Sequence, residues 1–309
     1  MIDLHKKPTL VVITGPTASG KTRLAALVAD RLDSEVISAD SRQVYRGMNL
    51  ATGKDFDDYR VGNRQVPFHL VDIAEPGYHY NLFEFKRDFY RIYHKLRADD
   101  KIPVLCGGTG LYIEAIIRKY DLPQVPENPA FREEVADLPD EVLIERLKKI
   151  RPLHNKTDIE TRERLLRAIE IAEYTNAHPD ERHDPELRPA VFVVRYERAE
   201  SRQRITQRLY QRLEAGMVNE VKELLQRGLT PRQLDYYGLE YRYLTRYVTG
   251  ELSYDEMVRK LNTAIHQFAK RQMTWFRGME RRGVEVQWIA GELPIDQKVE
   301  LVLKGVGVV

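Results

Sequence analysis

One short segment near the start of the chain restricts the possible folds more than any other feature. Residues 15–22 read Gly-Pro-Thr-Ala-Ser-Gly-Lys-Thr and fit the spacing G-x-x-x-x-G-K-[ST] in full. The continuous apolar run at residues 9–14 is typical of a strand covered on both faces, and a helical pattern follows the segment over residues 21–32. A strand, this spacing and a helix in that order predict a phosphate-binding loop.

The chemistry of the loop follows from its residue types. Its glycines let the backbone curl so that successive N–H groups point inward, and the helix N-terminus adds a partial positive charge. We expect Lys21 to bridge two phosphates and the Thr22 hydroxyl to ligate Mg²⁺. Because any diphosphate fits such a cradle, the loop does not imply nucleotide hydrolysis. The residues expected to hold the diphosphate are Gly15, Pro16, Thr17, Ala18, Ser19, Gly20, Lys21 and Thr22.

Further apolar runs predict additional strands, and helical stretches follow several of them. These runs cover residues 35–38, 67–71, 103–106, 190–194 and 284–289. The repeated order of strand, loop and helix predicts an α/β fold, a P-loop type doubly wound parallel sheet with a helical insertion domain and a helical C-terminal region. We expect a P-loop core at residues 1–120, the helical insertion at residues 121–189, and a return to the core with long basic helices at residues 190–309.

Polar residues follow three of the other predicted strands. In an open parallel sheet the ligand sits beyond the carboxyl ends of the strands, so these residues should meet the phosphate loop. Asp40 is the candidate general base, with a helix cap or a water-mediated Mg²⁺ ligand as the alternative. Asp72 is interpreted as a metal-associated acid or as a turn residue. Thr109, between glycines after the fourth strand, is expected to donate its hydroxyl to a substrate.

Charge and cysteine content limit the partners and the compartment. The formal net charge is only +2, but residues 195–282 hold 18 Lys or Arg against 11 Asp or Glu. That surplus suits a polyanionic partner, and a solvated helical surface explains it equally well. The single cysteine, Cys106, lies in an apolar run and is expected to be a buried, inert thiol. No apolar run approaches the roughly 20 residues of a membrane helix, so we expect a cytoplasmic protein with no membrane contact.

Four motifs together resemble those of the tRNA dimethylallyltransferase family. They are the phosphate loop and the segments at residues 40–48, 107–112 and 269–277, which follow the order of the family and span most of the chain. The resemblance implies transfer of a dimethylallyl group from dimethylallyl diphosphate to the exocyclic nitrogen of the adenosine beside the anticodon in tRNA. We also expect Mg²⁺ as the cofactor and a single protomer. The chain departs from the family at residues 237–241, 50–54 and 68–69.

The resemblance assigns roles to individual residues. Asp40 would accept the proton of the attacking nitrogen, while Lys21 and Arg208 would hold the departing diphosphate. Arg208 shares one helix face with Arg204 and Arg212, and a solvated face is the alternative interpretation. The residues assigned to tRNA binding are Asp40, Ser41, Arg42, Gln43, Thr109, Arg132, Arg164, Arg167, Gly238 and Arg271.

Three other functions are compatible with the same residues. A small-molecule or nucleoside kinase would bind ATP in the phosphate loop. A prenyltransferase acting on free adenine nucleotides would share the chemistry but not the tRNA. A nucleotide-dependent RNA-binding protein would bind RNA without forming a product.

Overall fold

The chain forms two compact units in the computed structural model, which describes residues 7–120, 122, 125–153, 157–178 and 186–308. The larger unit combines Met1–Tyr120 with Leu187–Val309, and the smaller one is Asp121–Glu186. Residues 1–6 of the polar N-terminal stretch lie outside the described residues, as do 121, 123, 124, 154–156 and 179–185 of the predicted insertion.

A six-stranded sheet organises the larger unit. The described strands are β1 Leu10–Thr14, β2 Val36–Ser38, β3 Arg60–Val61, β4 Arg64–Gln65, β5 Phe68–His69, β6 Val104–Gly107, β7 Pro189–Arg195 and β8 Val286–Ala290. The main sheet has the order β5-β2-β6-β1-β7-β8, and all of its neighbouring strands are parallel. Strands β3 and β4 form a separate antiparallel pair. The carboxyl ends of the six parallel strands therefore share one edge.

Helices cover both faces of this sheet. Those of the larger unit are α1 Lys21–Arg31, α2 Leu82–Ala98, α3 Gly110–Ile117, α7 Arg198–Glu214, α8 Met217–Gln226, α9 Pro231–Tyr236, α10 Leu239–Val248, α11 Tyr254–Arg281 and α12 Ile295–Val306. Successive residues of a strand point to opposite faces, so Val11 and Ile13 pack with α1 and α12, whereas Leu10 and Val12 pack with α2, α3 and α11. The predicted doubly wound α/β fold is confirmed.

The smaller unit is helical within its described residues. It contains α4 Pro129–Glu134, α5 Asp140–Ile150 and α6 Arg162–Ala177. Its own apolar core includes Phe131, Val135, Leu143, Leu147 and Ile169. None of the helices in the described ranges, in either unit, is long and apolar enough to cross a membrane.

The third predicted strand is shorter than expected. The apolar run at residues 67–71 forms β5 only over Phe68–His69, because Leu70 adopts a left-handed backbone with φ of 61°. Asp72 is also left-handed, at φ 54°, and forms an ion pair with Lys54. Asp72 is therefore a turn residue, the second of the two interpretations offered by the sequence.

Candidate active site

A cleft of about 1540 Å³ lies in the larger unit, where the parallel strands end. Its lining brings together most of the residues that the sequence singled out. These are Thr17, Ala18, Ser19, Gly20, Lys21, Thr22, Asp40, Ser41, Arg42, Gln43, Thr109, Arg208, Gly238 and Arg271. Gly15 and Pro16, the first two residues of the loop, are buried and do not line the cleft. Asp72, which was expected at this edge, does not line it either.

The phosphate loop leads directly into α1. Residues 21–24 form the first turn of α1 and contain no acid, so nothing in that turn opposes the positive end of the helix dipole. The Lys21 ammonium donates to the Pro16 carbonyl at 3.3 Å, and burial lowers the pKa of Lys21 below its ordinary value. The Ser19 hydroxyl is buried without a hydrogen-bond partner in the described part of the chain. These polar groups make the loop a ready site for an anion.

Gln272 on α11 joins the phosphate loop to the loop that follows β6. The Thr17 N–H donates to its Oε1 at 2.9 Å, and its Nε2 donates to the Gly108 carbonyl at 2.9 Å. Both polar ends of the side chain are therefore used, which fixes the two loops relative to each other. The sequence placed Gln272 in a recognised motif but gave it no role.

The loop after β2 holds Asp40 in a defined geometry. Asp40 Oδ1 accepts from the Arg42 N–H at 3.1 Å, while its second carboxylate oxygen has no protein donor among the described residues. The Ser41 N–H donates to Thr109 Oγ1 at 3.0 Å, and this hydroxyl donates to Ser41 Oγ at 3.2 Å. Thr109 therefore supports the loop that carries Asp40, and its predicted donation to a substrate stays a prediction.

The glycine after β6 permits the close approach of these two loops. A Cβ on Gly107 would lie 2.1 Å from the Ala39 carbonyl oxygen, well inside van der Waals contact. The Ala39 N–H in turn donates to the Cys106 carbonyl at 2.7 Å. Cys106 is buried as expected, and burial raises the pKa of its thiol to about 12. Its thiol therefore stays protonated at neutral pH.

Arginines of α7 line the cleft on the side of the phosphate loop. Arg204 donates to the Ala18 carbonyl at 3.2 Å and lies over the Tyr196 ring. Arg208 donates to the Asp55 carboxylate at 2.6 Å, and Arg212 donates to the same carboxylate at 3.1 Å. The predicted face of three arginines is thus a wall of the cleft rather than a solvated surface. The sequence gave no signal for Asp55.

Aromatic side chains are partly exposed in the cleft. Tyr236 stacks on His79 with ring centroids 4.3 Å apart, and the Arg42 guanidinium lies 5.2 Å from the centre of the Tyr236 ring. Trp275 packs against Gly110, where a Cβ would come within 2.3 Å of the indole. From the sequence alone, both Trp275 and Phe276 are expected in the core rather than as stacking platforms. This is confirmed for Phe276, which is fully buried, and wrong for Trp275, which stays 38% exposed.

The three arginines predicted in the insertion belong to the smaller unit. Arg132 donates to the buried Glu170 at 2.8 and 3.2 Å, and Arg167 donates to the same carboxylate at 2.9 Å. Burial favours the neutral acid, but the hydrogen bonds from both arginines outweigh it and lower the pKa of Glu170 to about 2. Arg164 pairs with Glu160 at 2.5 Å. Arg132 and Arg167 thus have a structural role, and their binding of tRNA stays a prediction.

The oxygen donors in the cleft suit a hard divalent cation. Thr22 lines the cleft beside Lys21 and offers a hydroxyl oxygen. Within the described ranges, no group of three His, Cys, Asp or Glu residues is arranged to hold a metal ion. A cation here would therefore depend on the oxygens of a bound ligand as well as on the protein, as is usual for Mg²⁺.

Comparison with known proteins gives a consistent result. The family model described as IPP transferase matches residues 43–279. The chain is 53% identical to tRNA dimethylallyltransferase 2 of Phocaeicola vulgatus, over 96% of this chain and 97% of that protein. It is 50% identical to tRNA dimethylallyltransferase 1 of Parabacteroides distasonis, over 97% of this chain and 98% of that protein.

Solved structures share the fold. The full-length tRNA isopentenylpyrophosphate transferase of Bacillus halodurans matches with a TM-score of 0.70 at 29% identity, covering 98% of this chain and 97% of that one. The corresponding transferase of Staphylococcus epidermidis matches with a TM-score of 0.70 at 27% identity, covering 97% of this chain and 99% of that one. The family match and these relatives together show that the chain belongs to the tRNA dimethylallyltransferase family.

Proposed function

We propose that this chain transfers a dimethylallyl group from dimethylallyl diphosphate to the exocyclic N6 of the adenosine adjacent to the anticodon in tRNA. One observation carries the proposal: the phosphate loop and the Asp40 carboxylate line the same cleft. The reaction requires a site that binds the diphosphate leaving group and a side chain that accepts the proton of the attacking nitrogen. The names of the relatives supply the prenyl donor and the tRNA.

The phosphate loop suits the donor diphosphate. Its backbone N–H groups, Lys21 and Arg208 would stabilise the negative charge that grows on the diphosphate as the allylic C–O bond breaks. The Thr22 hydroxyl, together with diphosphate oxygens, would hold Mg²⁺, which when bound neutralises part of that charge. The Lys21 ammonium is half-buried and forms no ion pair in the described part of the chain. Desolvation lowers its pKa and outweighs the charge of Asp40, which raises it, so a bound anion would further favour the charged form.

Asp40 suits the acceptor adenine. The lone pair of N6 is delocalised into the ring, so this nitrogen is a weak nucleophile. As its bond to the allylic carbon forms, its proton passes to the carboxylate oxygen of Asp40 that lacks a protein donor in the described residues. The other oxygen stays bonded to the Arg42 N–H, so the carboxylate is already oriented before the substrate arrives.

The size and lining of the cleft suit an unstacked base. An adenine must leave the stack of an RNA loop to enter such a site. We propose Ser41, Arg42, Gln43, Gly238 and Arg271 as tRNA contacts in the cleft, with Thr109 supporting the Asp40 loop. For Arg132, Arg164 and Arg167 of the smaller unit, contact with tRNA is likewise a proposal.

Incubation with competing donors and acceptors tests the proposed function. The protein with Mg²⁺ should release pyrophosphate from dimethylallyl diphosphate when tRNA is present, and not when AMP replaces it. Release with AMP would instead identify a transferase of free nucleotides. ATP turnover without consumption of the prenyl donor would identify a kinase, and RNA binding without either reaction would identify a non-catalytic protein.

A further inference from the structure

Two arginines of the cleft depend on one carboxylate. Arg208 and Arg212 are one turn apart on α7, and both donate to Asp55. The Arg212 side chain is only 14% exposed and that of Arg208 28%, so both cations are largely removed from water. Among the described residues, Asp55 is the acid that forms an ion pair with each of them. A single side chain therefore holds two guanidinium groups together.

The backbone at Gly53, two residues before Asp55, also lies close to both guanidinium groups. A Cβ on Gly53 would lie 3.0 Å from both terminal nitrogens of Arg212 and 3.2 Å from one of Arg208. Gly53 also has a φ of 79°, which most other residues adopt only with strain. The residue between them, Lys54, is buried and tied to Asp72 and to the Tyr45 carbonyl. Residues 53–55 thus pack against the two arginines and are themselves held by further contacts.

Helix α8 holds the backbone that leads into residues 53–55. The Glu220 carboxylate accepts backbone N–H bonds from Asn49, Leu50 and Ala51 at 2.8, 2.7 and 3.2 Å. It also accepts from the Tyr241 hydroxyl at 2.6 Å. Such a fully bonded acid fixes the backbone that leads into residues 53–55.

Electrostatics explain why the two arginines need a shared acid. Burial and the neighbouring Arg208 both lower the pKa of Arg212, which means that the cations repel each other. Burial raises the pKa of Asp55, but attraction to the two arginines outweighs it and keeps the pKa below its ordinary value. Asp55 therefore stays ionised and offsets the repulsion. Apart from the bond to Asp55, the donors of Arg208 have no acceptor in the described part of the chain, and this side chain lines the cleft.

We propose that Asp55 is a positioning residue for the donor diphosphate, acting through Arg208 and Arg212. It holds the two guanidinium groups at the donor end of the cleft, so that the remaining N–H donors are in place when the diphosphate binds. The proposal rests on the proposed function in assigning this end of the cleft to the diphosphate.

The Kd for Mg²⁺-pyrophosphate, measured by calorimetry, tests this role. An acid that only opposes the ligand and an acid that positions the arginines change the Kd in opposite directions when they are removed. Removing an acid from an anion site should tighten binding if the acid only opposes the ligand. If Asp55 instead positions the arginines, Asp55→Ala should weaken binding by about tenfold or more, and Asp55→Asn, which keeps one acceptor oxygen, by less. Asp57→Ala removes the same charge two residues away and outside the cleft, so its Kd should stay within about twofold of the original.

The same substitution in a protein that lacks both arginines shows whether Asp55 acts through them. In the Arg208→Ala/Arg212→Ala protein, adding Asp55→Ala should leave the Kd unchanged or lower it, because no cations remain for Asp55 to hold. Tighter or unchanged binding by the single Asp55→Ala variant would overturn the proposal, as would an equal loss in both backgrounds. Binding is measured without tRNA, so a protein that forms no prenylated product leaves this test interpretable.

Discussion

At the scale of single residues, Asp40 carries the proposed chemistry. Asp40→Asn keeps the acceptor for the Arg42 N–H and removes the basic oxygen. We expect single-turnover transfer to fall by about 10²–10⁴-fold. The Kd for pyrophosphate should change by no more than about twofold, because Asp40 is not expected to touch the diphosphate. Near-normal transfer by this variant would remove Asp40 as the base.

Lys21 should contribute to binding of the diphosphate and not to proton transfer. Lys21→Ala removes a charged donor from the phosphate loop, and we expect pyrophosphate to bind about 10- to 100-fold more weakly. Arg31→Ala, which removes a positive charge at the far end of α1, is the matched control and should bind as the original protein does. Calorimetric titration of both variants decides the point, since an unchanged Kd for Lys21→Ala contradicts its assignment.

The sequence was informative about residues that stand directly after a strand. Asp40 was found because a parallel sheet brings the ends of its strands to one edge, and Lys21 because the spacing of the loop after β1 fixes its place. Asp55 was missed because it lies in a loop with no periodic pattern, and its role depends on arginines about 150 residues later in the chain. The prediction that Trp275 is buried in the core was wrong. The spacing of apolar residues on one helix cannot show that the ring packs against a glycine of another element and stays partly exposed.

At the scale of elements, Glu170 of α6 should stabilise the smaller unit, because it accepts hydrogen bonds from Arg132 of α4 and from Arg167 of its own helix. The pKa of Glu170 is about 2 in the folded protein, below the ordinary 4.5. Its stabilising contribution is therefore present above about pH 4.5 and is lost as the pH falls from there towards 2. In Glu170→Gln this contribution should already be missing at neutral pH, with faster hydrogen exchange in α4 and α6.

Hydrogen exchange followed by mass spectrometry measures this difference. Exchange in the original protein and in Glu170→Gln should differ at pH 7 and converge on acidification, after correction for the intrinsic pH dependence of exchange. Peptides from α1 in the larger unit serve as the internal control. Equal protection of α4 and α6 in both proteins at pH 7 would show that the ion pairs of Glu170 do not stabilise the unit.

Element prediction succeeded where local patterns are strong. The run before the phosphate loop is β1, and the helix after it begins at Lys21, as the motif requires. The β3–β4 pair was missed because its strands have only two residues each, too few for any periodicity to show. The apolar run that contains β5 looked longer than the strand because apolar character cannot reveal the left-handed turn at Leu70.

At the scale of the whole molecule, the basic surplus of residues 195–282 should appear in the salt dependence of tRNA binding. Arg232 and Arg271 line the cleft. Replacing both with Gln should reduce the slope of log K against log salt concentration by about 0.7 for each RNA phosphate that the two side chains neutralise. Arg31→Gln/Arg91→Gln, which removes two arginines outside the cleft, should leave the slope unchanged. Equal slopes for the two double variants would show that the surplus serves another surface.

The most direct test of the account is mass analysis of tRNA nucleosides after reaction with dimethylallyl diphosphate and Mg²⁺. We predict one new nucleoside, an adenosine carrying a dimethylallyl group on N6. It should form with the original protein and be nearly absent with Asp40→Asn under the same conditions. Unmodified tRNA after incubation with protein that binds pyrophosphate, or equal product from both proteins, would contradict the chemistry assigned to this cleft.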